Sequence, residues 1–162
     1  DQSFFYYSDL ILAGEKSGLK ISTFNKFEQH LMNGIPYSIY INRKKFLNCG
    51  GYDESFTKGY EDWEFNLRLI FQKMNGQKIS QPVFNYYISS QGMLKKDSNK
   101  NHVDIFNKIK IKHTKHFKLK NLIILFIFNF HKKSQKNSII LFIFFIVIFL
   151  FKKNLTLKKL RK

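Results

Sequence analysis

The sequence contains little cysteine, proline or acidic residue. Its 162 residues include 1 Cys, 2 Pro and 11 Asp or Glu, against 28 Lys or Arg. The single Cys49 excludes an intramolecular disulfide and any zinc site made of several cysteines. Disordered chains have few aromatic residues, whereas 17% of this chain is aromatic. The sequence therefore predicts a folded domain of modest size.

The basic charge is concentrated in the C-terminal part of the chain. Residues 95–162 hold 18 of the 28 Lys and Arg residues but only 2 of the 11 acids, whereas residues 1–94 are nearly neutral. The polar stretch 95–101 contains no apolar residue and is typical of a linker. We therefore divide the chain into a globular segment at 1–94, a basic linker or helix at 95–120, and an apolar, Lys-rich tail at 121–162.

The first 94 residues alternate between strand-like and helix-like patterns. The third helix has the clearest pattern, because Trp63, Leu67, Ile70 and Met74 recur at helical spacing and Asn75-Gly76 is predicted to end it. Alternation of this kind indicates an α/β domain. Strands are predicted at residues 4–12, 35–41 and 77–87, and helices at residues 24–32, 43–47 and 61–74.

Acidic residues cluster at the start of that third helix, after a flexible loop. Gly50-Gly51 permits a backbone path that other residues avoid and a close approach by a ligand. Asp62 follows on a rigid helix, where a carboxylate could act as general base toward a hydroxyl. Alternatively, Glu61, Asp62 and Glu64 could simply stabilise the positive end of the helix dipole, and Trp63 could be a core residue. Spacing alone leaves both interpretations open.

Taken in order, these motifs resemble those of family-2 glycosyltransferases, enzymes of GT-A fold that use nucleotide sugars. The resemblance covers residues 4 to 94 and implies the C-terminal, acceptor-side half of a GT-A domain, a mixed α/β sheet with flanking helices. The matching segments are Tyr6-Tyr7-Ser8-Asp9, Gly34-Ile35-Pro36, Arg43-Lys44, Gly50-Gly51-Tyr52-Asp53-Glu54, Glu61-Asp62-Trp63-Glu64 and Leu67-Arg68-Leu69.

The resemblance implies a role for each residue of the acidic segment. The reaction would be an inverting transfer from a nucleotide-sugar donor to a hydroxyl of a cell-surface glycan or a lipid-linked acceptor, such as a polysaccharide or lipopolysaccharide precursor. Asp62 would be the catalytic base. Glu61, Trp63, Gly50 and Gly51 would form the acceptor site, with the Trp63 ring as an apolar face for a sugar.

The resemblance also implies parts that this sequence does not show. A divalent metal, Mn²⁺ or Mg²⁺, is expected to neutralise the leaving diphosphate in the complete enzyme. Its Asp-x-Asp ligands and the nucleotide-binding half would precede Asp1, and the lone Asp9 does not replace them. Residues 86–92 also lack the His that many members have after the last strand. The alternative is a non-catalytic, membrane-associated remnant that keeps the Asp62 motif.

The tail carries two apolar blocks, residues 122–130 and 139–151, flanked by lysines. As a helix the second block would span roughly 20 Å, short of the roughly 30 Å hydrocarbon core of a bilayer. This predicts helices inserted in the interface of an anionic membrane on its cytoplasmic face. The alternative is a sticky helix that packs on a missing domain.

Besides membrane binding, the basic segment raises two other possible functions, the binding of nucleic acid and the binding of a metal. Nucleic-acid binding is not expected, because the aromatic residues stand apart from the lysines and no recognition motif is present. His113 and His116 have a spacing that can hold a metal on a helix, but no carboxylate or cysteine accompanies them in sequence. We therefore expect both histidines to lie on a solvated basic face.

Overall fold

Two small mixed sheets with flanking helices make up the part of the chain that the computed structural model describes, residues 3–90, 92, 100–129 and 143. The strands are β1 Phe4–Tyr7, β2 Leu10–Gly14, β3 Gly18–Lys20, β4 Ile39–Tyr40, β5 Asn75–Lys78 and β6 Phe84–Ile88. The helices are α1 Arg43–Asn48, α2 Glu61–Phe71, α3 His102–Lys112 and α4 Leu119–Asn129, with a 3₁₀ turn at Glu28–His30. One sheet has the order β4-β1-β5 and the other β3-β2-β6.

The segments predicted as single strands at 4–12 and 77–87 each contribute to both sheets. β1 pairs in parallel with β5, and β2 pairs in parallel with β6, so the two segments run side by side. Both segments are interrupted between the two sheets, at residues 8–9 and 79–83. Pro82 lies in the second interruption and has no N–H to donate to a hydrogen bond between strands. The carboxylate of Asp9 instead accepts hydrogen bonds from the Ser22 N–H at 2.6 Å and from Lys78 at 2.7 Å. Each predicted strand is therefore two strands.

Helix α2 is buried on two sides, whereas the sequence pattern indicated one apolar face. Phe65 and Leu69 pack on the first sheet, in a cluster with Phe5, Tyr7, Ile35, Cys49 and Met74. Trp63 and Leu67 pack in a second cluster with Phe56, Ile105, Ile109 and Phe117, most of them on or after α3. The helix therefore connects the sheet to the basic segment.

Helix α2 also ends earlier than predicted. It stops at Phe71, and Lys73 takes a left-handed conformation with φ 64°. The N–H groups of Lys73 and Met74 then bond back to carbonyls of the last helical turn, which is a Schellman ending. Gly76, the predicted stop, lies in β5, where a Cβ would come within 2.8 Å of the Phe24 ring. Close packing in the sheet explains this glycine.

Two other predicted elements are shorter than the sequence indicated. Of the helix predicted at 24–32 only the 3₁₀ turn forms, and the Gln29 carbonyl there accepts a hydrogen bond from the Trp63 indole at 2.7 Å. Of the strand predicted at 35–41 only β4 forms, after Pro36. Helix α1 agrees with the helical turn predicted at 43–47, and the Asn42 side chain caps its start.

The basic segment contains a helix that packs on the domain. α3 places Ile105 and Ile109 against α2, so residue 94 is not the edge of the packed core. The expectation of a solvated face is wrong for the two histidines that follow. His113 Nε2 lies 2.7 Å from Glu64 Oε1, and the His116 ring stacks on Phe71 at 3.7 Å.

Helix α4 lies against the segment of the 3₁₀ turn through several apolar side chains, and the ring of Phe126 lies 5.3 Å from that of Phe27. Leu122 is fully buried in a cluster with Phe27 and Leu31. Within the described residues, no helix is both long and apolar enough to cross a bilayer. Apart from Ile143, the second apolar block of the tail, predicted at 139–151, lies outside the described residues.

A buried carboxylate joins α2 to α3. Glu64 has no exposed surface, and its oxygens contact Arg68 at 2.8 and 3.0 Å, Lys112 at 2.8 Å and His113 at 2.7 Å. Burial alone would raise the pKa of Glu64, but the hydrogen bonds from His113, Arg68 and Lys112 outweigh it and bring the pKa to about 2. Glu64 is therefore ionised and paired in the folded protein.

Replacing this carboxylate should destabilise the fold. Glu64→Gln keeps the shape but removes the carboxylate that pairs with Arg68 and Lys112 and is hydrogen-bonded to His113, and should lower the free energy of unfolding by about 2–4 kcal/mol. In the wild type the contribution of Glu64 is present above pH 4.5 and is lost as the pH falls toward 2. Urea denaturation measures both effects. Glu54→Gln, at an exposed position, is the matched control, and equal losses in the two variants would contradict the assignment.

Candidate functional site

The carboxylate of Asp62 is held in a fixed position in the first turn of α2. Its Oδ1 accepts a hydrogen bond from the Trp63 N–H at 2.7 Å, and its Oδ2 accepts one from the Asn33 side-chain amide at 2.9 Å. Tyr60, which precedes the helix, has a left-handed backbone with φ 69°. The left-handed turn at Tyr60 sets the direction of the first turn of α2, and with it the position of Asp62.

The environment of Asp62 favours a carboxyl group that can take up a proton near neutral pH. Burial raises its pKa from 3.8 to about 6, and the neighbouring charge of Glu61 adds to this rise. The hydrogen bonds from Trp63 and Asn33 oppose the rise without cancelling it. A group with such a pKa is suited to general-base chemistry.

A network of side-chain amides holds Asn33, the residue that donates a hydrogen bond to Asp62. The Asn66 side chain donates to Asn33 Oδ1 at 3.3 Å, and Asn33 donates in turn to Asp62. With its amide oriented to accept from the Gly34 and Ile35 N–H groups, Gln29 also donates to Asn33 Oδ1. Both Gln29 and Asn66 are buried. The position of the Asp62 carboxylate is therefore determined by side chains from two separate segments.

The Gly50-Gly51 turn is tied to α2 by Arg68. Both glycines have positive φ, 83° and 60°, which other residues rarely adopt. The Arg68 guanidinium donates to the carbonyl oxygens of Cys49 and Gly51, while its other face binds Glu64. The glycine motif and the Leu-Arg-Leu motif are therefore one physical unit.

The other residues predicted to line the acceptor site differ in how deeply they are buried. Glu61 is half-buried beside Asp62, and the loop residue Asp53 caps its own turn by accepting from the Ser55 N–H at 2.9 Å. Trp63 is only 2% exposed and stacks on Phe106 of α3 at 5.3 Å. The structure thus holds the glycine turn against α2, the helix that begins with Glu61 and Asp62, but places Trp63 in the core, where a sugar could reach its ring only after α3 moved.

The described residues do not provide ligands for the expected divalent metal. Among them, no three His, Cys, Asp or Glu side chains cluster closely enough to hold an ion. Asp9 lies at the end of a strand, but Lys78 and the Ser22 N–H already bond its carboxylate. A cation there would have to displace an ammonium group. No step of a reaction is therefore assigned to a metal in this part of the chain.

Comparison with known families identifies the domain. A model of the family described as glycosyltransferase like family 2 matches residues 2–132. The chain belongs to this family. No curated protein and no solved structure matches it. Two small mixed sheets with flanking helices fit a partial GT-A-like domain, and family membership implies sugar transfer between a nucleotide-sugar donor and an acceptor in general.

The family match extends past the segment in which the resemblance was found. It includes α3 and α4, whereas the motifs suggested an end near residue 94. The packing of Ile105 and Ile109 on α2 gives the physical reason, because α3 supplies part of the core of the family-2 domain. That the chain is the acceptor-side half of a longer enzyme stays a prediction.

Two groups of residues in this family-2 domain were not identified from sequence. Asn33, which directly follows the helix predicted at residues 24–32, is a hydrogen-bond partner of Asp62. Tyr37 and Tyr86, both predicted to lie in strands, contact each other across the fold, and the pKa of Tyr86 is raised by burial and further by the charge of Asp62. Nothing in the spacing of these residues indicates Asp62, because the contacts are made across the fold.

The burial of Asp62 predicts a stability that depends on pH. Its pKa is higher in the folded than in the unfolded state, so the stability it contributes is present below about pH 4 and is lost as the pH rises through about 6. Asp62→Asn, which is neutral at every pH, should therefore be more stable than the wild type by roughly 1–3 kcal/mol near pH 7.5.

Urea denaturation at several pH values checks this prediction. The advantage of Asp62→Asn should shrink as the pH falls toward about 4, where wild-type Asp62 is also neutral. Asp104→Asn, on the exposed side of α3, is the matched control and should show no such trend. A difference between Asp62→Asn and the wild type that does not change with pH would mean that burial does not destabilise the charged form.

Proposed function

We propose that this protein is an inverting glycosyltransferase that transfers a sugar from a nucleotide-sugar donor to a hydroxyl of a cell-surface glycan or a lipid-linked acceptor. The observation that carries the proposal is the Asp62 carboxylate. It is fixed by the Trp63 N–H and the Asn33 amide at the start of α2, in a chain of glycosyltransferase like family 2. This is the geometry that a general base needs.

Asp62 acts on the acceptor in the proposed reaction. Its carboxylate takes the proton of an acceptor hydroxyl as that oxygen forms a bond to the anomeric carbon of the donor. The bond between the anomeric carbon and the diphosphate oxygen breaks, and the nucleoside diphosphate leaves with the bonding electron pair. Attack opposite the leaving group inverts the anomeric configuration. Glu61, half-buried beside Asp62, shapes the acceptor side of the pocket.

The donor-side requirements of the reaction are also part of the proposal. A divalent cation, Mn²⁺ or Mg²⁺, supplies charge neutralisation at a leaving diphosphate when bound. The described residues contain no ligand set for it, so the proposal assigns to this chain only the handling of the acceptor hydroxyl.

Activity should depend on Asp62 and on pH. With UDP-, GDP- and dTDP-sugars, Mn²⁺ and a panel of glycoside acceptors, nucleoside diphosphate release should be measurable. Asp62→Asn should lower its rate about 10²–10⁴-fold. Because the base must be ionised, log(kcat/KM) of the wild type should rise with pH up to about 6 and then level off.

The same assay has a control and two opposing outcomes. Asp104→Asn makes the same chemical change at an exposed position of α3 and should keep wild-type activity. Full turnover in Asp62→Asn would remove Asp62 as the base. Absence of turnover with every donor would favour the alternative function, a non-catalytic and membrane-associated remnant.

We also propose that the domain works at an anionic membrane surface, on its cytoplasmic face. Helix α4 turns Leu122 toward the domain but leaves Ile123 and Ile124 exposed, at 36% and 49%. Lys118 and Lys120 are exposed at the start of the same helix. Apolar side chains next to lysines suit the interface of a bilayer that contains anionic lipids.

Vesicle binding tests this placement. The protein should sediment with phosphatidylserine-containing vesicles at low salt and less so at high salt or with neutral phosphatidylcholine vesicles. Replacing Ile123 and Ile124 together by Ser should weaken sedimentation, whereas Ile111→Ser, on α3, should not. Equal binding to neutral and anionic vesicles, or stronger salt-dependent retention on DNA, would contradict the proposal.

A further inference from the structure

Three tyrosines form a partly exposed cluster near Asp62. The rings of Tyr37 and Tyr86 lie 6.1 Å apart with an interplanar angle of 53°. The Tyr52 hydroxyl donates to the Tyr37 carbonyl oxygen at 3.3 Å. Tyr37 and Tyr52 are 51% and 41% exposed. We call Tyr37, Tyr52 and Tyr86 the tyrosine cluster.

Each member of the tyrosine cluster comes from a different element of the fold. Tyr86 lies on β6 opposite Leu12 of β2, on the face of that sheet that is less exposed. Tyr37 directly follows Pro36, ahead of β4. Tyr52 directly follows the glycine turn that Arg68 holds. The fold therefore brings together residues that are 15 to 49 positions apart in sequence.

The position of Tyr52 is fixed by packing. Its ring contacts Phe46 of α1 at 5.5 Å and Phe65 of α2 at 5.2 Å, each edge to face. A Cβ on Gly51 would come within 3.3 Å of the Phe46 ring, so the turn that carries Tyr52 has little space to change. The Tyr52 ring is thus held in one position by the rings and the turn around it.

The tyrosine cluster lies within the electrostatic reach of the base. Burial raises the pKa of Tyr52 and of Tyr86, and the negative charge of Asp62 raises both further. Their hydroxyl groups therefore stay protonated in the neutral pH range. Tyr86 can donate a hydrogen bond to a ligand that lies over Asp62, whereas the Tyr52 hydroxyl, which donates to the Tyr37 carbonyl oxygen, can accept one.

The chemistry of this opening defines the class of ligand. A pyranose ring has an apolar face made of C–H groups and an edge of hydroxyl groups, so it can contact an aromatic ring and present an oxygen to a carboxylate at once. Tyrosine suits such contacts, because it offers a large apolar surface and a polar tip with few rotatable bonds. Trp63, the aromatic residue expected from the sequence, is buried and has no such open face.

We propose that the tyrosine cluster is the platform on which the acceptor pyranose lies, with Tyr37 as the outer contact and Tyr52 and Tyr86 beside Asp62. The acceptor class is therefore a pyranoside rather than a protein side chain or a simple lipid alcohol. This inference rests on the proposed function, because it assigns the acceptor of the same site.

Binding of methyl pyranosides to the whole protein tests the platform without a donor. The probes are the methyl glycosides of glucose, galactose, mannose and N-acetylglucosamine, observed by saturation-transfer NMR. Sorbitol has hydroxyl groups but no ring, and should not compete. At least one glycoside should bind, and Tyr37→Ala should raise its Kd about 5- to 10-fold through loss of the stacking surface.

Tyr87→Ala is the matched control for this measurement. Tyr87 is 74% exposed and adjoins Tyr86 on β6, but alternation along the strand turns it to the opposite face of the sheet. Tyr87→Ala should change the Kd less than about 2-fold, which is well below the change expected when one stacking contact is lost. Tyr37→Ala keeps the backbone carbonyl that Tyr52 uses, so the cluster retains its internal hydrogen bond.

The outcomes distinguish this proposal from the proposed function. Binding of no methyl glycoside, equal effects of Tyr37→Ala and Tyr87→Ala, or competition by sorbitol would each overturn the platform. Binding that depends on Tyr37 without turnover by any donor would support the platform and count against the transferase. Turnover with an acceptor KM that is the same in Tyr37→Ala and wild type would support the transferase and count against the platform.

Discussion

The ion pair between Glu64 and Arg68 is the interaction on which the other parts of the site depend. Arg68 holds the Gly50-Gly51 turn through two carbonyl oxygens, and Glu64 holds α3 through Lys112 and His113. An ion pair that is largely removed from water adds little net stability by itself, but removing one partner leaves an uncompensated charge. Its value here lies in geometry, because two segments distant in sequence, the glycine turn and α3, take their positions from a single pair on α2.

The sequence was informative where local pattern decides the structure, and less so where tertiary contacts decide it. The start of α2 follows from its acidic first turn and apolar spacing, and α1, predicted as a helical turn at 43–47, extends one residue further. The length of a strand depends on its partners, so the change of sheet near Pro82 could not be predicted from a run of branched and aromatic residues. His113 was assigned to solvent for the same reason, since its carboxylate partner is 49 positions away.

The site shows a similar division between what a motif indicates and what the fold supplies. Asp62 was identified as a candidate base because acids at a helix start next to glycines are visible in sequence. Asn33, which fixes its carboxylate, belongs to a segment predicted to be the end of a helix. The same acidic cluster also contains Glu64, whose role is structural, so adjacent carboxylates on one helix serve different functions. Only burial and hydrogen-bond partners separate Glu64 from Asp62.

The burial of Trp63 gives a reason for this arrangement. Its indole N–H is bonded to the Gln29 carbonyl, and its backbone N–H donates to Asp62, so one residue ties the Asp62 carboxylate both to the core and to the segment that carries Asn33. An exposed tryptophan could contact a ligand, but its indole could not make this bond to the core. Tyr37 and Tyr52 are exposed aromatic residues, and the Tyr52 hydroxyl bonds to the Tyr37 carbonyl oxygen. Because Trp63 is needed as an anchor in the core, the aromatic surface proposed for the ligand lies on tyrosines outside the core.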